Sequence, residues 1–214
     1  MTTTQQRGFN GLITRFFDVA AKAYDLGPLQ RVVYRPPHDD VLAQLRKHGV
    51  GSVADIGCGT GIFTTRIQQE LGLDTVYGID ASRGMLARGR ARTDKVDWRE
   101  GPAEALPLPD ASVDAVITTT AFHFFDQPRA LAEYSRVLKP NGIIAISAIN
   151  PKGFLVRPMQ RITLLPIIPA HAASPSQMCE MITARGFEIV EQRPIKRPLY
   201  SRLVPDVLTV ARIR

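Results

Sequence analysis

Val53-Ala54-Asp55-Ile56-Gly57-Cys58-Gly59-Thr60-Gly61 places three glycines directly behind a short apolar run. Ser52 to Ile56 reads as a buried strand, and Ile62 to Leu71 repeats apolar residues at helical spacing, so the segment is a strand–loop–helix unit. Glycines at such a handover let the main chain turn tightly and approach a ligand without Cβ clashes, while the helix that follows offers unpaired amides. A nucleoside-like ligand fits this arrangement. A dinucleotide fingerprint would need its third glycine three positions after the second, where Ile62 stands; here the third is Gly61, two positions on. Asp55 sharpens the distinction, because a carboxylate just before the loop repels a pyrophosphate and attracts an ammonium group.

The same alternation continues on the C-terminal side. Strands are expected at Thr75 to Ile79, Val113 to Thr118 and Ile143 to Ser147, with a short one at Val96 to Arg99. Helices are expected at Ser82 to Ala91 and Pro128 to Leu138, and Pro140-Asn141-Gly142 reads as a turn. Strands alternating with helices imply a parallel sheet. Near the end, a helix from Ser176 to Arg185 stops at Gly186, and Phe187 to Gln192 and Val207 to Ile213 read as an antiparallel closing pair. On the N-terminal side, Phe9 to Tyr24 and His38 to His48 are helical, with Pro28, Pro36 and Pro37 punctuating the stretch between them. Residues 150 to 170 carry Pro151, Pro158, Pro166 and Pro169 among many apolar side chains, which suits either a cap over the site or packing against the sheet edge.

The chain is thus expected to be a single α/β domain over residues 1–214. Its parts are an N-terminal helical cap (1–50), a ligand-binding core (51–149), an apolar cap insertion (150–171) and a C-terminal helix with closing strands (172–214). At 214 residues, with 44% hydrophobic and 22% charged residues, it has an ordinary globular composition. No apolar run approaches the roughly 18 residues of a membrane span, and the polar start lacks the features of a secretory signal, so a cytoplasmic protein is expected. Peripheral membrane contact stays open. The net charge of +7 comes from scattered arginines and not from a block, which disfavours a nucleic-acid groove. Cys58 and Cys179 lie in unrelated contexts and read as free thiols; neither has metal-ligand spacing, and no metal is expected. Nothing in the sequence fixes an oligomeric state.

Asp80 ends the second strand about 20 residues past the loop, where a carboxylate can accept from both hydroxyls of a ribose. A plain helix-capping role beside Ser82 is the alternative. Four segments now line up in order and spacing: Asp55-Ile56-Gly57-Cys58-Gly59-Thr60-Gly61, Tyr77-Gly78-Ile79-Asp80-Ala81-Ser82, Gly101-Pro102-Ala103-Glu104-Ala105-Leu106-Pro107 and Arg136-Val137-Leu138-Lys139-Pro140-Asn141-Gly142. Together they resemble the successive motifs of class I methyltransferases, in the ubiquinone/menaquinone-biosynthesis-like (type 11) branch. The resemblance is close over residues 50 to 150.

It implies S-adenosylmethionine as cofactor and a Rossmann-like, seven-stranded, mostly parallel sheet with the last strand antiparallel and helices on both faces. It also implies roles at matching positions. Asp55, Gly57, Cys58 and Gly59 would hold the methionine end, Asp80 the ribose, and Ala81 and Met85 the adenine face, although Met85 reads equally as core filler. Ala103 would offer its amide to the adenine ring, with Glu104 nearby and Thr119 at the end of the next strand. Tyr24 resembles a tyrosine that folds over the cofactor, or is a core aromatic. Pro102 departs from the branch, whose members commonly have Asp there to bind the adenine amino group; Glu104 or a backbone carbonyl would have to take that role.

Methyl transfer from a sulfonium is a displacement with dispersed charge, so positioning and exclusion of water carry most of it. A base helps only where the acceptor must lose a proton. His123, in Thr118-Thr119-Thr120-Ala121-Phe122-His123-Phe124-Phe125-Asp126 just past a strand's carboxyl end, is the candidate; ordering the loop is the alternative. Asp126 suits capping the helix at Pro128 better than orienting His123. The expected reaction is O- or C-methylation of a small apolar or aromatic acceptor. A non-catalytic S-adenosylmethionine-binding module, and an RNA or protein acceptor, are the alternatives.

Overall fold

The computed structural model describes residues 30–150, 173–199 and 204–214. The helix expected over Phe9 to Tyr24, Tyr24 itself and the cap segment fall outside the described residues, apart from Asn150 at the cap's start. Among the described residues seven strands form one sheet: β1 (Ser52–Ile56), β2 (Thr75–Asp80), β3 (Asp97–Glu100), β4 (Val113–Thr119), β5 (Leu138–Ile149), β6 (Phe187–Pro194) and β7 (Asp206–Ile213), in the order β3-β2-β1-β4-β5-β7-β6. Pairs among β1 to β5 are parallel, and β7 runs antiparallel to both β5 and β6. The reversed last strand is the one that the closing pair in the sequence implied.

Helices cover both faces. On one lie α1 (Arg35–His48), α2 (Ile62–Leu71) and α3 (Arg83–Arg92), whose Val41, Leu42, Leu45, Phe63, Ile67 and Leu86 pack with Val53, Ala115 and Ile117 of the strands. On the other, α4 (Gln127–Val137) and α5 (Pro175–Thr183) bury Leu131, Tyr134, Met178 and Ile182 against Ala54, Ile56, Val116 and Ile144. Every residue of β1 is buried, Ser52 and Asp55 included, because it has helices above and below, which is why Val53, Ala54 and Ile56 show no alternation.

Two element starts differ from the sequence reading by three residues or more. Pro36 and Pro37 do not separate α1 from what precedes it; they lie inside its first turn, where the missing amides have no helical partner to lose. β5 begins at Leu138, five residues before the expected start, because Leu138 pairs with Val113 across an irregular register and the turn at Asn141 (φ 65°) is carried within the strand. The α5 start is set by a capping box, with Ser174 accepting from the Gln177 amide and the Gln177 side chain accepting from the Ser174 amide.

The closing strands are latched to α1 and to residues 32 and 33 before it by buried and part-buried charge. Arg193 donates to Asp40 at 2.6 Å, and the Lys196 amide donates to the same carboxylate at 3.0 Å. Arg197 donates from Nε to Asp206 Oδ1 at 2.8 Å and to the Val32 and Val33 carbonyls at 2.8 and 2.9 Å, and its Nη2 also meets Asp206 Oδ2. The Arg197 and Asp206 side chains are only 2% and 5% exposed. Removing one member of such a pair strands the other in low dielectric, so Arg197→Ala should lower unfolding free energy by about 3 kcal/mol. Urea denaturation followed by circular dichroism measures this; a loss near zero would mean that the pair is not what joins the two ends.

Candidate cofactor site

The carboxyl end of β1 opens into a loop whose Gly57, Gly59 and Gly61 all adopt left-handed φ, at 70°, 56° and 73°. The Gly57 and Cys58 amides donate to the Ile79 carbonyl at 2.8 and 3.2 Å, which ties the loop to β2. Gly61 leads into α2 without any side-chain cap. A Cβ at Gly57 would stand 2.8 Å from the Ala121 methyl and 3.0 Å from the Phe125 ring, so the loop after β4 packs directly on the glycine loop.

Two carboxyl groups flank this turn. Asp55 is 1% exposed; its Oδ2 accepts from Thr64 Oγ1 at 2.6 Å, and its Oδ1 has no partner among the described residues. Burial pushes its pKa from 3.8 to about 7, the Thr64 hydrogen bond opposing and the nearby Asp80 charge adding to the rise. Asp80 is half-buried and accepts from the Gly59 amide at 2.9 Å and the Ser82 amide at 2.8 Å. Its carboxylate therefore fixes the glycine loop, while the capping of α3 falls to Ser82, whose Oγ accepts from the Met85 amide at 3.1 Å. Cys58 is half-buried, and desolvation, with Asp80 and Asp55 adding, drives its thiol well above the usual range, so it is no nucleophile.

The third wall is the loop after β4. Thr120 adopts φ 58°, a conformation that costs a β-branched residue of order 1–3 kcal/mol, and its amide donates to the Ser147 carbonyl at 2.9 Å. The chain then forms a tight turn at Phe122–Phe124. His123 is 5% exposed, lies 4.2 Å from the Phe124 ring and has no partner for Nδ1 among the described residues; burial lowers its pKa to about 4. Asp126 caps α4 through the Arg129 amide, and Glu104 accepts from the Asp126 amide at 2.6 Å, joining the 101–107 segment to this loop.

Of the residues singled out in the sequence, Asp55, Gly57, Cys58, Gly59 and Asp80 converge around one turn. Glu104 and His123 lie on the neighbouring loops, Ala103 and Met85 are buried, Ala81 is exposed beside Asp80, and Thr119 is half-buried at the end of β4. Thr64, which holds Asp55, and Thr120, which bends the β4 loop, escaped the sequence reading: the first is just another residue on the buried face of α2, and a left-handed threonine has no sequence signature. A buried carboxyl oxygen without a partner, beside a second carboxylate and a glycine turn, suits a ligand that brings a cationic donor. No cluster of three or more metal-ligating side chains occurs among the described residues.

Residues 54–146 match the type 11 family model described as Methyltransferase domain. Over these residues the chain carries a methyltransferase domain of the class I S-adenosylmethionine-dependent kind, type 11 branch. A protein of Mycolicibacterium smegmatis named a probable S-adenosylmethionine-dependent methyltransferase is 33% identical over 161 residues, 71% of this chain and 58% of its own. A malonyl-[acyl-carrier protein] O-methyltransferase of Hahella chejuensis is 34% identical over 142 residues, 64% of this chain and 49% of its own. The chain thus spans about half the length of the curated relatives it matches.

Among solved structures, magnesium protoporphyrin IX methyltransferase of Synechocystis, with bound S-adenosylhomocysteine, superposes with TM-score 0.74 at 16% identity, covering 96% of this chain and 100% of that one. A methyltransferase of Aquifex aeolicus gives 0.71 at 20%, covering 92% and 98%. These likenesses show the Rossmann-like fold of the methyltransferases. The cofactor of the family is S-adenosylmethionine, whose α-ammonium supplies a donor of the kind that the orphaned Asp55 oxygen lacks.

The raised pKa of Asp55 has a stability consequence. Between about pH 4 and pH 7 the folded protein holds a proton that the unfolded chain has released, so stability falls as pH rises through that window, by something on the order of 4 kcal/mol in total. Asp55→Asn carries no titrating group there. Unfolding free energies measured at a series of pH values should show the variant gaining on the parent chain from pH 4 to pH 7; parallel profiles would contradict a buried, protonated Asp55.

Proposed function

We propose that the chain transfers the methyl group of S-adenosylmethionine to a small apolar or aromatic acceptor, by O- or C-methylation. The observation that carries the reading is the pair of carboxyl groups, Asp55 and Asp80, placed on either side of a glycine loop that is held open in left-handed conformation. The Hahella relative's name is that of an O-methyltransferase, which favours an oxygen acceptor.

Under this reading Asp55 would take the ammonium of the methionine end as a carboxylate, its proton passing to solvent, and Gly57, Cys58 and Gly59 would line that end with main chain. Asp80, already oriented by two amides, accepts from the ribose hydroxyls. Ala81 and Met85 lie along the adenine, Ala103 offers its amide, and Glu104 stands near the amino group in place of the branch's usual Asp; Pro102, exposed and with its carbonyl accepting from Ala105 at 3.2 Å, has no side chain to do so. Thr119 would close the floor, and the cofactor-covering role that the family resemblance implies for Tyr24 falls outside the described residues.

When bound, the cofactor supplies a sulfonium methyl open to in-line displacement. The chain's own part is to exclude water and to orient the acceptor. Burial keeps His123 uncharged at neutral pH, and in the tautomer with the proton on Nε2 its Nδ1 would be a lone-pair acceptor able to take a hydrogen bond from an acceptor hydroxyl and its proton as that hydroxyl reacts. Within a single domain, residues 150–171 would cap the site, and 1–50, 51–149 and 172–214 would be the N-terminal cap, the cofactor-binding core and the closing part. A cytoplasmic setting fits this chemistry; among the described residues no helix is long and apolar enough to cross a membrane.

Calorimetric titration with S-adenosylmethionine, S-adenosylhomocysteine and NAD should give binding of the two adenosyl ligands and none of NAD. Asp80→Ala should weaken that binding at least tenfold, and unchanged affinity would remove Asp80 from the ribose site. In a screen of phenolic, enolic and carboxylate acceptors, His123→Ala should cut turnover far more than cofactor affinity. Absence of methyl transfer to any acceptor, with the cofactor bound, would favour a binding module over an enzyme.

A further inference from the structure

Trp98 sits on β3, behind the glycine loop and not in the site. It is 8% exposed and is the single tryptophan of the chain. An ordinary core indole is surrounded by apolar side chains, but three of the surfaces around this six-membered ring are glycines from three different elements. A Cβ on Gly78 of β2 would lie 2.4 Å from the ring, one on Gly89 of α3 2.8 Å, and one on Gly61, the last residue of the loop, 2.3 Å. Glycine inside a helix or strand costs about 1 kcal/mol relative to alanine, so Gly78 and Gly89 weaken their own elements unless the space they leave is needed. What occupies that space is the ring.

The ring is also held in orientation. Its Nε1 donates to the Thr93 carbonyl at the end of α3 at 3.1 Å, and Arg90 of the same helix donates to the Trp98 carbonyl at 3.1 Å. From the same helix end, Arg92 Nε donates to the Thr60 carbonyl at 2.8 Å. Two consecutive loop residues, Thr60 and Gly61, are therefore braced from behind, one by a guanidinium and one by the flat edge of an indole. Gly78 and Trp98 are direct partners in the parallel β2–β3 register, which sets the ring's height against the loop.

We infer that Trp98 is a positioning residue for cofactor binding, acting through Gly61 to hold the glycine loop in its left-handed path while touching no ligand itself. The inference rests on the proposed cofactor role of that loop. With the ring shortened, as in Trp98→Phe, Gly61 loses its stop and the loop samples other conformations, so part of the binding energy goes into ordering it. With Gly89→Ala, the added methyl drives the ring the other way, into Gly61.

The test uses the full chain and S-adenosylhomocysteine. In the parent protein, tryptophan emission should shift on saturation, and it reports Trp98 alone because no other tryptophan exists. Trp98→Phe and Gly89→Ala should each weaken binding at least fivefold by calorimetry, and the double variant should bind better than Gly89→Ala, since the smaller ring leaves room for the methyl. Arg197→Ala is the control for general destabilisation: it should lower the thermal midpoint and leave affinity within twofold. Either folded single variant suffices if the other does not fold. Parent-like affinity in the folded variants, with emission unmoved by ligand, would overturn the inference and leave Trp98 as packing. Failure of the parent chain to bind the probe would instead overturn the cofactor reading, and this inference with it.

Discussion

The turn out of β1 is the constraint around which the molecule is arranged. A strand buried on both faces has no solvent edge at which to change direction, so the chain must leave the sheet within a few residues and enter a helix whose first amides still need partners. Three left-handed glycines make that path sterically open, but they also make it entropically expensive to fix. The surrounding contacts supply the fixing: the Ile79 carbonyl takes two loop amides, Asp80 takes a third, Ala121 and Phe125 close on Gly57, and α3 and β3 brace Thr60 and Gly61. The braces come from β2, β3, α3 and the loop after β4, so the loop is a point where the sheet order itself is read out.

The electrostatics of the site run against those of the chain. The molecule carries a net +7, yet the turn gathers Asp55 and Asp80, and the first of these is almost fully desolvated. A lone buried carboxylate is costly, and the protein lowers that cost by letting Asp55 keep its proton to about pH 7 and by giving it one hydroxyl donor, Thr64. Asp80, with two amide donors and partial exposure, is the group suited to hold charge. Neighbouring carboxyls in different environments thus divide the work: one is a charge held in waiting, the other a fixed acceptor.

How much of this was legible in the sequence depended on how local the cause was. Asp55 and Asp80 could be found because the glycine spacing and the distance to the next strand end are properties of one strand–loop–helix unit. The fold followed for the same reason, since the alternation of short apolar runs with helical patterns survives without tertiary information. Trp98 could not be found, because Gly61, Gly78 and Gly89 belong to three elements and meet around one ring only after β2 and β3 are in register. The Arg197–Asp206 pair joins the β6–β7 link to residues 32 and 33, some 165 positions away, and no pattern announces it. Pro36 and Pro37 misled because a proline that breaks a helix interior is welcome in its first turn, and the sequence alone does not say which turn is first.

The loop after β4 follows a different logic from the glycine loop, and that difference bears on what His123 can do. Thr120 takes up a left-handed conformation that glycine or asparagine would adopt with less strain, and the strain is offset from behind, by the Ser147 carbonyl, by Ala121 against Gly57 and by the complete burial of Phe122. The path of the main chain, and not a hydrogen bond to the imidazole, therefore sets where His123 stands. Asp126, the carboxylate three residues on, is spent on capping α4 and does not orient the ring. A histidine with a carboxylate behind it would be held in one tautomer and made more basic; this one is made less basic by burial, and its Nδ1 has no partner among the described residues. A ring so placed is tuned by whatever enters from the site side, and an acceptor that brings its own hydroxyl would complete its hydrogen bonding where a purely apolar one would not.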